Sequence, residues 1–255
     1  MRLLLKLISR GNYSFDQTIN HKVQGFIYNC LIGSVFENLH GKKGTKYFCF
    51  SNLFPIGDIK KDKEVNLIIS SPLIDLIHIL KTRIQNLQEI NIGEYSFKLL
   101  SLDLLKIKIE SRFDIITGTP VVIRIPMEKY KKYGIKSHRP YEYWRKTLPL
   151  NIFIDAIEEN FIKKYNSFYG TNFSRIQLFG TYEFKKEVSN IVSMPNRNSV
   201  IIGSIWKFST VYIDNRNIGI FDFLMDTGLG EMNSLGYGFL NKLKYNNDRN
   251  VKIIC

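Results

Sequence analysis

The sequence predicts an α+β fold built as two tandem halves, and three observations lead there. Short runs of alternating or branched apolar residues mark strands. Longer runs with apolar residues three and four apart mark helices. The order in which these elements occur in the first half of the 255 residues returns in the second. Hydrophobic residues make up 44% of the chain, which is enough for a packed core and argues against wholesale disorder.

The elements follow in order. Leu3, Leu5 and Leu7 alternate with other residues and open the chain as a strand. A polar turn with Gly11, Asn12 and Ser14 leads into a helix from Phe15 to Glu37, whose stripe is Ile19, Val23, Phe26, Ile27, Cys30 and Leu31. Tyr47 to Phe54 reads as an aromatic strand and Val65 to Ile69 as a short branched one. Pro72 opens a second helix, at the end where its missing N–H costs nothing, and Leu73, Leu76, Ile77, Leu80, Ile84 and Leu87 carry its apolar face. Phe97 to Ile109 is the next strand. The order β-α-β-β-α-β is the ferredoxin-like, or RRM-like, pattern. In the second half, Pro120 to Ile125 reads as a strand and Tyr143 to Phe168 holds a helix with Leu150, Phe153, Ile154, Ile157, Phe161 and Tyr165 on one face. Strands at Ile176 to Phe184 and Val200 to Ile213, a short helix at Ile220 to Met225 and a strand at Phe239 to Tyr245 complete the repeat of element order. The boundary falls near Arg112 to Gly118, giving halves of residues 1–115 and 116–255.

Charge narrows the function classes. Lysine and arginine total 36 against 23 acidic residues, a formal net charge of +13. Such an imbalance calls for a polyanionic partner, nucleic acid first. An anionic membrane surface lacks the long basic amphipathic helix it would need. The apolar run from Val65 to Leu80 is interrupted by Pro72, Asp75 and His78, so it is no membrane span, and MRLLLKLISR has charges too close together for a signal peptide. Cys30, Cys49 and Cys255 are scattered, as the four histidines are, which argues for a reducing, cytoplasmic setting and against zinc. No cofactor motif or metal-ligand spacing is present. Asp155, Glu158 and Glu159 read as the polar face of a helix, and no Ser–His–Asp or Cys–His spacing stands out. The first-half strands also lack the aromatic pattern by which an ordinary RNA-recognition motif stacks bases.

The segment GLGEMNSLGYGF places Gly228, Gly230, Gly236 and Gly238 within eleven residues. Without side chains, the backbone here could approach phosphate oxygens through its N–H groups, and a turn-rich connector is the plain alternative. It is neither a Walker loop, since no G-K-[ST] follows, nor a dinucleotide fingerprint, since no strand leads into it. A second notable stretch runs from Glu128 to Lys146. There Lys129, Lys131, Lys132, Lys136, Arg139, Arg145 and Lys146 alternate with Tyr130, Tyr133, Tyr141, Tyr143 and Trp144. Cations that hold a nucleic-acid backbone, interleaved with rings that stack bases, suit single-stranded RNA. His138 in this stretch reads as a contact, and His21 and His78 as solvated helix residues.

Gly–Leu–Gly, five residues, then Gly–Tyr–Gly resembles the glycine signature near the C-terminus of repeat-associated RNA-binding proteins. Together with the two halves, nearly the full length resembles the CRISPR-associated endoribonucleases that process precursor CRISPR RNA, the Cas6 family. The segment ENLHGKKGTKYFCFS adds to it: His40, a basic glycine-containing turn with Lys42, Lys43, Gly44 and Lys46, then Phe48, Phe50 and Ser51. The resemblance implies metal-independent cutting of repeat RNA by the ribose 2′-hydroxyl, which leaves a 2′,3′-cyclic phosphate (or 3′-phosphate) and a 5′-hydroxyl. It makes His40 the acid–base residue and Lys46 the charge beside the phosphorane. For an assisting tyrosine, Tyr28 and Tyr47 both stand open. Tyr28 shares a polar helix flank with Gln17, His21 and Gln24, and Tyr47 alternates with Cys49 and Ser51. Gly228, Gly230, Gly236 and Gly238 are expected to hold the RNA, with Lys129, Lys131, Lys132, Arg139 and Arg145. The implied partners are CRISPR repeat RNA, crRNA and subunits of a CRISPR effector complex. The chain acts as monomer or homodimer, and a non-catalytic RNA-binding subunit is the alternative role.

Overall fold

A computed structural model describes residues 1–16, 18–194, 197–245 and 251–254; Gln17 and Cys255, which entered the sequence reading, lie outside them. β1 (Arg2–Ser9) buries Leu3, Leu5 and Leu7 completely, and these alternate residues define the core face of a five-stranded sheet. The chain then runs through α1 (Ile19–Leu31), β2 (Cys49–Phe50), β3 (Glu64–Ser70), α2 (Ile74–Gln85), β4 (Ile90–Ile92) and β5 (Tyr95–Leu105). The sheet order is β2-β3-β1-β5-β4, with β1 antiparallel to both β3 and β5. The opening strand therefore sits between the third and last strands of the unit, which is the ferredoxin-like arrangement, extended by the β4–β5 hairpin.

The second half repeats it with an insertion. β6 (Asp114–Thr117) is followed by β7 (Arg124–Pro126), α3 (Tyr130–Tyr133) and β8 (Tyr141–Tyr143), then α4 (Leu150–Tyr169), β9 (Phe179–Met194), β10 (Arg197–Thr210), α5 (Ile218–Thr227), β11 (Leu240–Tyr245) and β12 (Val251–Ile254). Its sheet order is β12-β11-β6-β10-β9, and β7 and β8 form a separate ribbon. Trp206 anchors this core, stacked 4.3 Å from Phe153 of α4 and 5.4 Å from Trp144.

The structure shifts several expected elements. α1 is shorter than Phe15 to Glu37. Asp16 accepts the Thr18 N–H at 2.7 Å in a turn before the helix, and Gly33, at φ 72°, ends it. The aromatic strand shrinks to two residues because Tyr47 takes φ 53°, outside the β region. The first strand of the second half is Asp114–Thr117 and not Pro120 to Ile125. Pro120 cannot donate to a ladder, the two residues after it make only isolated bridges, Val121 to Ser204 and Val122 to Glu231, and Arg124 and Ile125 pair with β8 in the separate ribbon. Because β6 pairs on both sides within the second sheet, we propose that the second half begins at Asp114 and that residues 106–113 link the halves. Trp144, read as a base-stacking ring, is 4% exposed and belongs to the core.

The halves are fastened at the back of the first sheet. Leu4, Cys49 and Ile68 point away from the α1–α2 core and pack on Phe239 of the second half. Arg2, fully buried, donates through Nη2 to Met225 O at 2.9 Å and Leu240 O at 2.7 Å, and lies 4.6 Å from the Phe239 ring. A buried guanidinium is tolerated here because backbone carbonyls and a π face replace its water. The seam holds residues 44–50, downstream of His40, beside the glycine-rich segment. No helix among the described residues is long and apolar enough to cross a membrane.

Candidate active site

The path to His40 starts where α1 stops. Ile32 leaves the helix at ψ 134°, and a single 3-10 turn follows at Glu37–Leu39, pinned by buried Leu39. His40 closes that turn with its side chain exposed. Tyr28, on the last part of α1, meets it: the two rings lie 4.7 Å apart at 89°, edge to face. Tyr28 is itself held by Phe48, 5.8 Å away, so the ring behind the imidazole is anchored by the core. Burial raises the Tyr28 phenol above its ordinary range, against a side-chain hydrogen bond with Ser234 that draws it down. The hydroxyl therefore stays protonated at neutral pH.

Of the two tyrosines left open by the sequence, Tyr28 is the one whose ring lies on His40. Tyr47 turns to the second half and packs 4.9 Å from Phe168 and 6.4 Å from Phe223, while its carbonyl accepts the Ser71 hydroxyl at 2.6 Å. Lys46 folds back over its own loop. Its Nζ donates to His40 O at 3.1 Å and to Lys42 O, and burial with Lys42 nearby lowers its pKa. His21 is not solvated as the sequence suggested. Its Nε2 is sealed without a hydrogen-bond partner, and burial lowers its pKa, which keeps the ring neutral. His78 and His138 are exposed.

The glycine-rich segment is a buried clasp. Gly228, Gly230, Gly236 and Gly238 all have positive φ and all are buried. A Cβ on Gly236 would sit 2.4 Å from the Phe50 ring, and one on Gly238 would sit 1.9 Å from Leu229 O. The expectation that their N–H groups face a ligand does not hold for three of them: Gly228 N–H goes to Leu224 O, Gly236 N–H to Asn233 O and Gly238 N–H to Pro120 O. These glycines let backbone cross backbone. What the clasp presents outward is Met232, Ser234 and Leu235, each partly exposed. Gln24 of α1 donates to Ser234 O at 2.8 Å, tying this tip to the same helix face that carries Tyr28.

Lys164, absent from the sequence reading, holds the clasp from below. It is 4% exposed, and its Nζ donates to Gly228 O at 2.8 Å, Gly230 O at 3.1 Å and Asn233 Oδ1 at 3.0 Å. The signal was present: Lys164 lies three residues after Phe161 and seven after Ile157, on the apolar stripe of α4 where a lysine needs a reason. Burial brings its ammonium down to about 8. Because the unfolded lysine stays protonated up to its ordinary value, the cost of burying this charge is full below about pH 8 and fades as the pH rises toward about 10.5. The stability of the wild type relative to Lys164→Met, followed by urea unfolding, is expected to rise across that window. A flat difference would mean that Lys164 is not the buried titrating group.

The basic stretch divides. Lys129 pairs with Glu159 and Lys132 with Asp155 at 3.2 Å, while Arg139 makes a 3.7 Å pair with Glu142. Lys131 and Arg145 are exposed. A cavity of about 340 Å³ opens between residues 44–48 of the His40 loop and residues 230–234 of the clasp, with Arg124, Asn160 and Lys164 in its wall. Two loops from different halves, one carrying His40 and Lys46 and the other Ser234, thus border a polar space suited to a strand of nucleic acid. Among the described residues, no group of three or more His, Cys, Asp or Glu side chains could hold a metal ion.

Comparison with known proteins points to one family. Residues 104–242 match the family model for the CRISPR associated protein Cas6, C-terminal. The chain is 32% identical over 253 residues to the CRISPR-associated endoribonuclease Cas6 2 of Methanocaldococcus jannaschii, covering 96% of this chain and all of that one. It is 29% identical over 251 residues to the CRISPR-associated endoribonuclease Cas6 of Haloferax mediterranei, covering 94% and 93%. A solved structure described as a RAMP protein binding different RNA substrates superposes with a TM-score of 0.74 at 21% identity, covering 96% of this chain and all of the other, which speaks for the fold. The two-half fold is shared with that solved structure, and the chain belongs to the Cas6 family of CRISPR-associated proteins.

Proposed function

We propose that this protein is an endoribonuclease that processes precursor CRISPR RNA, cutting within each repeat without a metal ion. The curated relatives carry the name endoribonuclease over nearly the full length. The observation that carries the mechanism is the exposed His40 imidazole backed edge-on by Tyr28 at 4.7 Å. In the reaction, the ribose 2′-oxygen forms a bond to its own 3′-phosphorus, and the bond from phosphorus to the 5′-oxygen of the next nucleotide breaks. One proton leaves the 2′-hydroxyl and one arrives on the 5′-oxygen, so the products are a 2′,3′-cyclic phosphate and a 5′-hydroxyl. His40 moves one of these protons. The protonated Tyr28 hydroxyl, tied to Ser234, orients the strand beside it, and Lys46 leaves its loop carbonyls to meet the charge on phosphorus.

The test is incubation of the protein with end-labelled RNA carrying the repeat of its host's array, in EDTA. One cut per repeat is expected, with a fragment whose 3′ end resists ligation until acid and phosphatase remove a cyclic phosphate. Loss of cutting on chelation would remove the metal-free mechanism. Tight binding without any cutting would favour a non-catalytic RNA-binding subunit of a CRISPR effector complex.

A further inference from the structure

The cavity bordered by residues 44–48, just past His40, does not end at the clasp. A second cavity of about 380 Å³ lies along the β7–α3–β8 insertion, bordered by Lys129, Tyr133, Tyr141 and Lys163. Three residues line both cavities: Arg124, Asn160 and Glu231. They form a saddle across a single trough that runs from the cleavage loop to the insertion.

The saddle is built to present a fork. Glu231, inside the glycine-rich segment, accepts the Arg124 backbone N–H at 2.9 Å through Oε1 and its Nε at 2.5 Å through Oε2. The guanidinium is also flanked by the Tyr141 ring, 5.1 Å away. Both terminal nitrogens remain without a hydrogen bond among the described residues, and the side chain is 38% exposed. An arginine fixed at Nε and open at both Nη atoms has the geometry that grips two oxygens of one phosphate. Next to it, Asn160 Oδ1 is buried and without a partner, an acceptor that a ribose hydroxyl of the same nucleotide satisfies. Glu159 is paired with Lys129, and Glu231 engages Arg124 only at its backbone N–H and Nε, so both Nη atoms of the fork stay open; the exposed Glu128 also borders the insertion cavity.

We propose that Arg124, positioned by Glu231, forms a second phosphate subsite for the RNA strand, separate from the cleavage point at His40, and that the strand passes over it into the insertion cavity. The subsite rests on the RNA-cutting reading. It explains why an acidic residue stands in a segment expected to approach phosphates: Glu231 aims the cation and does not touch the RNA.

The test uses the full chain and the same labelled repeat RNA. Affinity is read by anisotropy across a salt series, and cutting is read in single turnovers at saturating protein. Arg124→Gln is expected to weaken binding roughly tenfold, as loss of a charge-assisted contact does. It should also flatten the log–log salt slope by about 0.7, one phosphate contact on a single strand. The saturated cutting rate should fall by less than the affinity does, since the contact is separate from the reacting phosphate. Arg124→Lys should restore the slope but not the full affinity, since a point charge replaces a fork. The Arg124→Gln/Glu231→Gln double variant, which leaves no unpaired carboxylate, should match Arg124→Gln. An unchanged salt slope in both Gln variants, with wild type binding and cutting normally, overturns the subsite and leaves the proposed function standing. Failure of wild type to bind the repeat removes both.

Discussion

His40→Ala is expected to lower the single-turnover cutting rate by about 10²–10⁴, the usual worth of a positioned acid or base. That is about 3–5 kcal/mol of barrier, at about 1.36 kcal/mol per decade. Binding should hardly change. His40 is exposed at the end of a short turn, its ring touches Tyr28 and the turn is pinned by Leu39, so truncation opens no core cavity. Surface truncations of this kind usually change folding stability by no more than about 0.5 kcal/mol, so the variant should fold as the wild type does. The split between rate and affinity is what separates a proton-transfer group from an RNA contact. A variant that still cuts at the wild-type rate would remove His40 from the mechanism. One that loses rate and affinity together would make it a positioning contact.

Gly238→Ala is expected to have the largest effect on the folded state. The added methyl would lie 1.9 Å from Leu229 O and 3.0 Å from Asn233 Nδ2, in a backbone at φ 71°. Leu229 cannot retreat, because its N–H is bonded to Gly238 O and the next residues are held by Lys164. Positive φ in a non-glycine residue costs about 1–3 kcal/mol. Forcing a methyl into packed backbone costs about 1–3 kcal/mol more. Against a typical domain stability of about 5–15 kcal/mol, the sum should lower the unfolding midpoint measurably and spread the clasp. Thermal unfolding checks the first, and repeat-RNA affinity the second, since Ser234 would leave its place beside Tyr28 and Gln24. Gly236→Ala should be milder. Its clash is with the edge of the Phe50 ring, which can tilt, whereas the clash at Gly238 is with a carbonyl. Equal stability of wild type and Gly238→Ala would mean that the crossing of the two strands at Leu229 is not as drawn.

The glycine result also shows where sequence reading stops. Four glycines at this spacing suggest close approach of backbone to something, and the sequence offers no way to tell ligand from protein. Tertiary packing decides it: Leu229, Phe50 and Val122 occupy the space, so the approach is internal, and Met232, Ser234 and Leu235 are left partly exposed at the tip. Lys164 could be suspected from its place on the α4 stripe, but its partners are carbonyls 64 and 66 residues away, which no local pattern reports. Arg124 and Glu231 are 107 residues apart and meet only because the second half closes on itself.

The sequence by itself determined the main elements of the first half, the two ferredoxin-like halves and the family. These follow from short-range periodicity, from turn chemistry and from residues close together in the chain, where side-chain type is enough. It could not choose between Tyr28 and Tyr47, because both are amphipathic rings at the edge of an apolar run. Only the tertiary structure separated them. The backbone kink at Tyr47 sends that ring into the second half's aromatic core, while the end of α1 brings Tyr28 against His40. The same holds for the trough. Its walls come from the His40 loop, the start of the second half, the middle of α4 and the clasp, and only the long-range packing that buries each half's core brings these four pieces together.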